Sequence, residues 1–113
     1  MRRSPRLQMP GKPPRVIAHR GYAEEYPENT LAAFQAAVDA GARGIELDIH
    51  LSASGEAVVF HDFTLERLHR DSRKLSDLSS AELSRFGIPR LEELFAAFGE
   101  KIFYDVEIKS RSH

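Results

Sequence analysis

Four acidic residues alternate with apolar residues in two short segments of the chain. Glu46 and Asp48 lie within the apolar run 45–49, and Asp105 and Glu107 within 104–108. On a β-strand, this spacing directs the carboxylates to one face and the apolar side chains to the other. Neighbouring carboxylates repel and are costly to bury unpaired, whereas Mg²⁺ or Ca²⁺ binds such oxygens well. The spacing thus suggests a metal site of Glu46, Asp48 and Glu107, with solvated acids on exposed strands as the alternative.

Two histidines follow apolar runs and could transfer protons. His19 comes after residues 16–18 and His61 after residues 58–60, where parallel strands would end. Paired histidines at such ends can divide general acid and general base roles near neutral pH, although each could equally be structural. Arg20 offers a planar fork for phosphate oxygens. Lys109 could hold phosphate, pair with one of the acids, or be an ordinary surface charge. The remaining internal histidines, His50 and His69, lack this context and are interpreted as structural or solvated.

The elements that must position these residues alternate between strands and helices. Strands are predicted at 16–18, 44–51, 57–60 and 102–108, with a turn signal at Ser54-Gly55 between the second and the third. A helix capped by Asn29 or Thr30 is predicted to run through Val38, with Gly41 just beyond its end. Ser79 and Glu82 have the spacing of a capping box for a short helix, and another helix covers 91–98 and stops at Gly99. This alternation indicates parallel β/α units, with 57–60 as the third strand of four.

Composition narrows the classes of function. The chain has 113 residues, a net charge of −1 and no cysteine. A single domain is therefore expected, without thiolate sites, disulfides or an electrostatic case for nucleic acid binding. No apolar run is long enough for a membrane span. Residues 1–14, rich in arginine and proline, are predicted to be a disordered basic arm, and cytoplasm is the default location.

Six short motifs together resemble the glycerophosphodiester phosphodiesterase family. Their order and gaps between residues 15 and 110 fit the family's pattern. The motifs are His19-Arg20-Gly21, Pro27-Glu28-Asn29-Thr30, Gly44-Ile45-Glu46-Leu47-Asp48, His61-Asp62, Ile88-Pro89-Arg90-Leu91-Glu92-Glu93 and Val106-Glu107-Ile108-Lys109.

The resemblance implies an α/β fold of the TIM (β/α)₈ barrel type and a metal-dependent phosphoric diester hydrolase. Its small-molecule substrate would be a glycerophosphodiester, cleaved to sn-glycerol 3-phosphate and an alcohol. By the family's pattern, Glu46, Asp48 and Glu107 would bind Mg²⁺ or Ca²⁺. His19 and His61 would be the acid/base pair, and Arg20 and Lys109 would contact phosphate.

The length of the chain bears on this expectation. A complete barrel of this kind needs about 250 residues, so residues 15–113 are expected to form only the first half of a truncated domain, with about four strands. Open sheet edges in a half barrel predict an inactive, unstable or self-associating chain. Two alternatives remain: a module that binds metal or phosphodiester without turnover, and a phospholipase D-like phosphodiesterase with the same barrel.

Overall fold

The computed structural model describes residues 5–21 and 23–109, which form a five-stranded mixed sheet with helices. In chain order, the strands are β1 (Arg6–Met9), β2 (Ile17–His19), β3 (Gly44–Leu51), β4 (Ala57–Val59) and β5 (Phe103–Ile108). The order across the sheet is β1-β5-β3-β2, and β4 also pairs with β3. β2, β3 and β5 are mutually parallel neighbours, as the predicted β/α units require.

The first and the last of the described helices pack against the apolar face of these parallel strands. In chain order, the helices are α1 (Leu31–Asp39), α2 (Glu66–His69), α3 (Ser80–Ser84) and α4 (Leu91–Phe98), with a 3₁₀ turn at Leu75–Asp77. Phe34 of α1 and Leu94 of α4 belong to the core cluster of Ile45 and Leu47. Since residues alternate along β3, its opposite face carries Glu46 and Asp48. The apolar core thereby fixes the direction in which both carboxylates point.

Several local signals in the sequence predicted helix ends correctly. Thr30 is the N-cap of α1, and Gly41 adopts a positive φ of 102° just beyond its end. Ser79 and Glu82 form the expected capping box of α3. Gly99 is the C-cap of α4. Within the described residues, no helix has the length and apolar character needed to traverse a bilayer.

The interpretation of 57–60 as a third parallel strand is wrong. β4 pairs antiparallel with β3, with Ile49 opposite Val59 and Leu51 opposite Ala57. Only residues 52–56 separate the two strands, and Ser52 accepts a backbone hydrogen bond from Gly55 within this turn. A parallel connection needs a crossover of about a dozen residues or more. The described sheet therefore contains three parallel strands of the barrel type rather than four.

The prediction of a disordered arm over residues 1–14 is wrong for part of it. Residues Arg6–Met9 form β1, which pairs antiparallel with β5 from Arg6 opposite Glu107 to Met9 opposite Tyr104. Composition alone did not reveal the unpaired edge that β5 offers to an extended segment. Residues 1–4 of the predicted arm lie outside the described residues.

Candidate active site

Strand register brings together the three acids predicted to bind metal. Asp48 of β3 lies directly opposite Glu107 of the parallel neighbour β5, and Glu46 is two residues earlier on the same face. One carboxylate oxygen from each lies within 4.8 Å of the others. We call Glu46, Asp48 and Glu107 the carboxylate cluster. Its rigid strand backbone holds like charges close together.

The electrostatics of the carboxylate cluster favour a cation. Burial, and then the neighbouring carboxylate of Asp48, raise the pKa of Glu46. Glu46 Oε1 lies 3.3 Å from His19 Nε2 but is buried without a hydrogen-bond partner. Hard divalent cations bind carboxylate oxygens at about 2.0–2.6 Å, so oxygens this close can share one ion. The donor set of this cluster therefore fits Mg²⁺ or Ca²⁺.

Three cationic or polar groups compensate the buried carboxylate of Asp48, which is 1% exposed. Asn29 donates from Nδ2 to Asp48 Oδ2 at 3.1 Å, and Arg20 Nε lies 3.5 Å from the same oxygen. Lys109 Nζ lies 3.7 Å from Asp48 Oδ1 and donates to Glu107 Oε2 at 2.8 Å. Sequence reasoning noted Asn29 as a candidate helix cap and as part of a motif, without a role in the site. Asn29 instead has a φ of 58°, precedes the Thr30 cap and turns its amide into the site.

The His-Arg-Gly triplet lies where β2 ends. His19 is opposite Glu46 in the parallel register, and the next backbone N–H, of Arg20, donates to the Glu46 carbonyl at 2.7 Å. Gly21 follows with a φ of 84°. A Cβ at Gly21 would lie 2.7 Å from the carbonyl carbon of Ala33, so only glycine lets α1 pack this closely. The triplet is therefore fixed by both neighbours, β3 and α1.

His61 reaches the site by a different route from the predicted one. The prediction placed it at the end of a parallel strand, but it follows the antiparallel strand β4. Phe60 N–H donates to the Asp48 carbonyl at 2.9 Å, so β4 runs back along β3 toward the cluster. His61 Nδ1 lies 2.7 Å from Asp62 Oδ1. A proton on Nδ1 is therefore held by Asp62, which leaves the Nε2 lone pair available as a base.

A row of alternating charges connects His61 to Asp48. Arg67 donates from Nε to Asp62 Oδ2 at 2.8 Å and from Nη2 to Glu28 Oε2 at 2.8 Å. Glu28 also pairs with Arg20, whose Nε lies near Asp48. We call His61, Asp62, Arg67 and Glu28 the His61 network.

Arg67 sets the charge state of the two acids in the His61 network. Its hydrogen bond lowers the pKa of Asp62 to about 2. Burial alone would raise the pKa of Glu28, but Arg67 and Arg20 outweigh it and lower that pKa. Sequence reasoning missed Arg67, because it lies in a polar stretch without periodicity. It noted Glu28 only as part of a motif.

The other internal histidines have structural surroundings. His50 is 6% exposed and its Nε2 lies 2.9 Å from the His61 carbonyl, to which it donates when protonated there. Burial lowers the pKa of His50, which favours the neutral ring. His69 packs against the rings of Phe60 and Phe86. Both positions agree with the structural interpretation, and His113 lies outside the described residues.

Arg6 of β1 also enters the site, although no pattern in the sequence indicated this position. Its Nη2 lies 3.2 Å from Glu46 Oε2, and its Nη1 lies 3.3 Å from Glu107 Oε1. Its Nε donates to Asp105 Oδ1 at 2.9 Å. One guanidinium thus contacts two members of the carboxylate cluster and one adjacent acid.

The chain is similar to known proteins over most of its length. Residues 19–112 match the model of the "Glycerophosphoryl diester phosphodiesterase family". A glycerophosphodiester phosphodiesterase of Caldanaerobacter subterraneus is 41% identical over 109 residues, which is 84% of this chain and 45% of the relative. Rat glycerophosphodiester phosphodiesterase 1 is 43% identical over 70 residues, or 62% of this chain and 21% of the relative.

Solved structures of phosphodiesterases also superpose on most of this chain. A glycerophosphodiester phosphodiesterase from Thermotoga maritima superposes with a TM-score of 0.80 at 40% identity, covering 84% of this chain and 44% of that one. An Oleispira antarctica phosphodiesterase in complex with the product sn-glycerol-3-phosphate gives a TM-score of 0.71 at 32% identity, covering 85% and 44%. These superpositions confirm the predicted fold class, a TIM-type α/β fold represented by its first part. The chain spans less than half the length of these relatives.

Proposed function

The chain belongs to the glycerophosphoryl diester phosphodiesterase family, and from this membership we propose that its site serves metal-dependent hydrolysis of glycerophosphodiesters. The products would be sn-glycerol 3-phosphate and an alcohol. The bound product in the Oleispira antarctica relative supports this substrate class. Because the chain spans less than half of its relatives, activity by these residues alone is part of the proposal.

One observation carries the proposal. Among the described residues, the buried side-chain polar atoms without a hydrogen-bond partner are Arg20 Nε, Asn29 Oδ1 and Glu46 Oε1, and all three lie in this site. Buried polar atoms are nearly always satisfied in native proteins, so a cluster of unsatisfied ones indicates a place prepared for a ligand. Two of them are oxygens and one is a cationic N–H, which suits a cation together with an anion.

In this proposal, Glu46, Asp48 and Glu107 hold Mg²⁺ or Ca²⁺. The ion would supply neutralisation of phosphate charge. With the acid charges balanced in this way, the side chains of Arg20 and Lys109 can turn from the carboxylates to the phosphate oxygens. There they would stabilise the charge that builds up as the ester bond breaks.

The two histidines would move the protons. His61, with its Nδ1 proton held by Asp62, has Nε2 available to accept a proton. His19 is 68% exposed and touches Glu46, so it can deliver a proton to the departing alcohol and exchange it with solvent. The opposite assignment, with His19 as the base and His61 as the acid, satisfies the same geometry. The cytoplasmic location and self-association predicted from the sequence stay predictions.

A non-catalytic metal-binding module is the second candidate. Two observations support it. The chain spans less than half the length of its relatives, and the described sheet has three parallel strands of the barrel type. Such a module would keep the carboxylate cluster but would have no use for the His19–Glu46 contact. Turnover therefore separates the two candidates.

The test is hydrolysis of glycerophosphocholine by the purified chain, followed as choline release with Mg²⁺, Ca²⁺ or EDTA. We expect cation-dependent turnover that falls at least about 100-fold in His19→Ala, the usual scale for loss of a general acid or base. His69→Gln, which changes a ring packed against Phe60 and Phe86, is the matched control and should retain turnover. A folded chain that binds the cation but releases no choline would reject hydrolysis in favour of the binding module.

A further inference from the structure

The segment that carries Arg6 lies outside the part of the chain that matches the family. The match covers residues 19–112, whereas β1 spans Arg6–Met9. Each strand of a barrel has two neighbours. β5 has β3 on one side and, on the other, the antiparallel strand β1. The N-terminal segment thus occupies the edge of β5 at which another barrel strand would pair.

The docked strand places a positive charge among the acids. Arg6 lies opposite Glu107 in the register of β1 with β5, and its guanidinium contacts Glu46, Asp105 and Glu107 at 2.9–3.3 Å. Its side chain is 26% exposed, so these contacts are only partly screened by water. Arg6 neutralises part of the charge that would otherwise attract a divalent ion.

Apart from the antiparallel backbone pairing of its four residues with β5, the other contacts of β1 are modest. Leu7 is 47% exposed, and Gln8 makes an exposed hydrogen bond to Asp105. Met9 packs partly against the core, and the Pro5 carbonyl accepts from Ile108 N–H at 2.8 Å. If this strand left the edge of β5, little buried apolar surface would become exposed to water. Segments with few buried apolar contacts open locally at low free-energy cost. Arg6 is therefore a principal side-chain anchor of β1.

We propose that β1 is a displaceable internal ligand of the carboxylate cluster, in which the docked Arg6 and a divalent cation exclude each other. The two positive groups need the same carboxylates, and like charges at such distance repel strongly away from bulk water. The docked strand holds the site closed to the cation, and cation binding releases the strand. This inference rests on the proposed function, because it takes the cation site from there.

The first experiment compares calcium binding by the purified chain with that of Arg6→Gln, using calorimetric titration with CaCl₂. Arg15→Gln is the matched control, because Arg15 is exposed and the same single charge is lost. We expect Arg6→Gln to bind Ca²⁺ at least about tenfold more tightly than the wild-type chain, and Arg15→Gln to differ by less than about twofold. Equal affinities of the Arg6 and Arg15 variants would overturn the competition.

The second experiment needs no substitution and follows amide hydrogen exchange in the wild-type chain. Saturating Ca²⁺ should accelerate exchange at the amides of β1 and at Ile108 N–H, which donates to Pro5. If Ca²⁺ binds and these amides stay protected, the strand and the ion coexist and the competition is overturned while the cation site stands. If neither the wild-type chain nor Arg6→Gln binds Ca²⁺, the cation site fails, and this inference fails with it.

Discussion

The carboxylate cluster and the His61 network differ in how their charges are balanced. In the cluster, Glu46, Asp48 and Glu107 converge from two parallel strands, and burial and repulsion raise the pKa of Glu46. In the His61 network, acids and cations alternate from His61 to Glu28, and the pKa of Asp62 is lowered to about 2. The pKa of Glu46 and the pKa of Asp62 therefore shift in opposite directions.

This difference assigns a different physical task to each region. Like charges held on rigid strands favour a ligand of opposite charge, since binding relieves their repulsion. A network with balanced charges has no such need and instead fixes the orientation of its members. Arg20 touches both regions, through Glu28 and Asp48. This contrast favours cation binding by the carboxylate cluster and the orientation of His61 by the His61 network.

Removing one carboxylate charge from each region should give the largest difference between the two regions, and we expect it in Ca²⁺ affinity. We expect Asp48→Asn to weaken Ca²⁺ binding by at least about 100-fold, because the buried carboxylate of Asp48 would be a central ligand of the proposed cation site. At a Ca²⁺ concentration 100 times the wild-type Kd, the bound ion adds about 2.7 kcal/mol to the unfolding free energy of the wild-type chain. The variant should lack nearly all of this added stability. Calorimetric titration and melting temperatures with and without CaCl₂ measure both quantities.

The matched control makes the same chemical change in the His61 network. Asp62→Asn should leave Ca²⁺ affinity within about twofold, because Asp62 contacts His61 and Arg67 rather than the cluster. Similar losses in both variants would mean that the two regions act as one charged unit, and the division of tasks would be wrong.

Arg67 should matter for positioning more than for stability. Arg67→Gln removes the fork that joins Asp62 to Glu28, and we expect a loss of about 1 kcal/mol in unfolding free energy, since the side chain is 47% exposed. The more specific effect should be on His61, whose Nδ1 proton should exchange faster with water once Asp62 is no longer held. Urea unfolding and nitrogen-15 NMR of the imidazole check the two effects.

Arg73→Gln provides the control for that substitution. Arg73 pairs with Asp71, two residues earlier, on the exposed surface. Its loss should leave both the urea midpoint and the exchange of the His61 proton unchanged. If the two variants behaved alike, the charge of Arg67 would have no positioning role.

The regular elements of this fold could be predicted because their signals are local. The alternation along Gly44–Leu51 predicted both the strand and the shared face of Glu46 and Asp48. The capping box at Ser79 and the glycine stop at Gly99 each depend on a few neighbouring residues. The alternation of apolar strands and helices then predicted a parallel sheet, and β2, β3 and β5 do pair in parallel.

The missed features depend on pairs that are distant in sequence. Arg67 meets Glu28 from 39 residues away, and Arg6 meets Glu107 from 101 residues away. No periodicity relates such residues, so composition could only describe the segment of Arg6 as part of a disordered basic arm. The wrong direction for β4 was an error of another kind. The short turn at Ser54-Gly55 is visible in the sequence, and it is too short for the crossover that a parallel strand needs.

The smallest expected effect is the acid dependence contributed by Asp62. Its pKa is lowered from an ordinary 3.8 to about 2, first by the hydrogen bond from Arg67. As pH falls, the unfolded chain therefore takes up this proton before the folded chain does. The stability from Asp62 is fully present above about pH 4 and is lost as pH falls through about 2. Because this pair is partly exposed, the amount should stay below about 1 kcal/mol.

Urea midpoints of the wild-type chain and Asp62→Asn between pH 6 and pH 2 measure this contribution. The wild-type advantage should be constant down to about pH 4 and should shrink toward zero near pH 2, because the protonated acid can no longer pair with Arg67 as a carboxylate. An advantage that did not change with pH would show that Asp62 stabilises the fold by packing or neutral hydrogen bonding. The His61 network would then not be a balanced set of charges, and its contrast with the carboxylate cluster would rest on geometry alone.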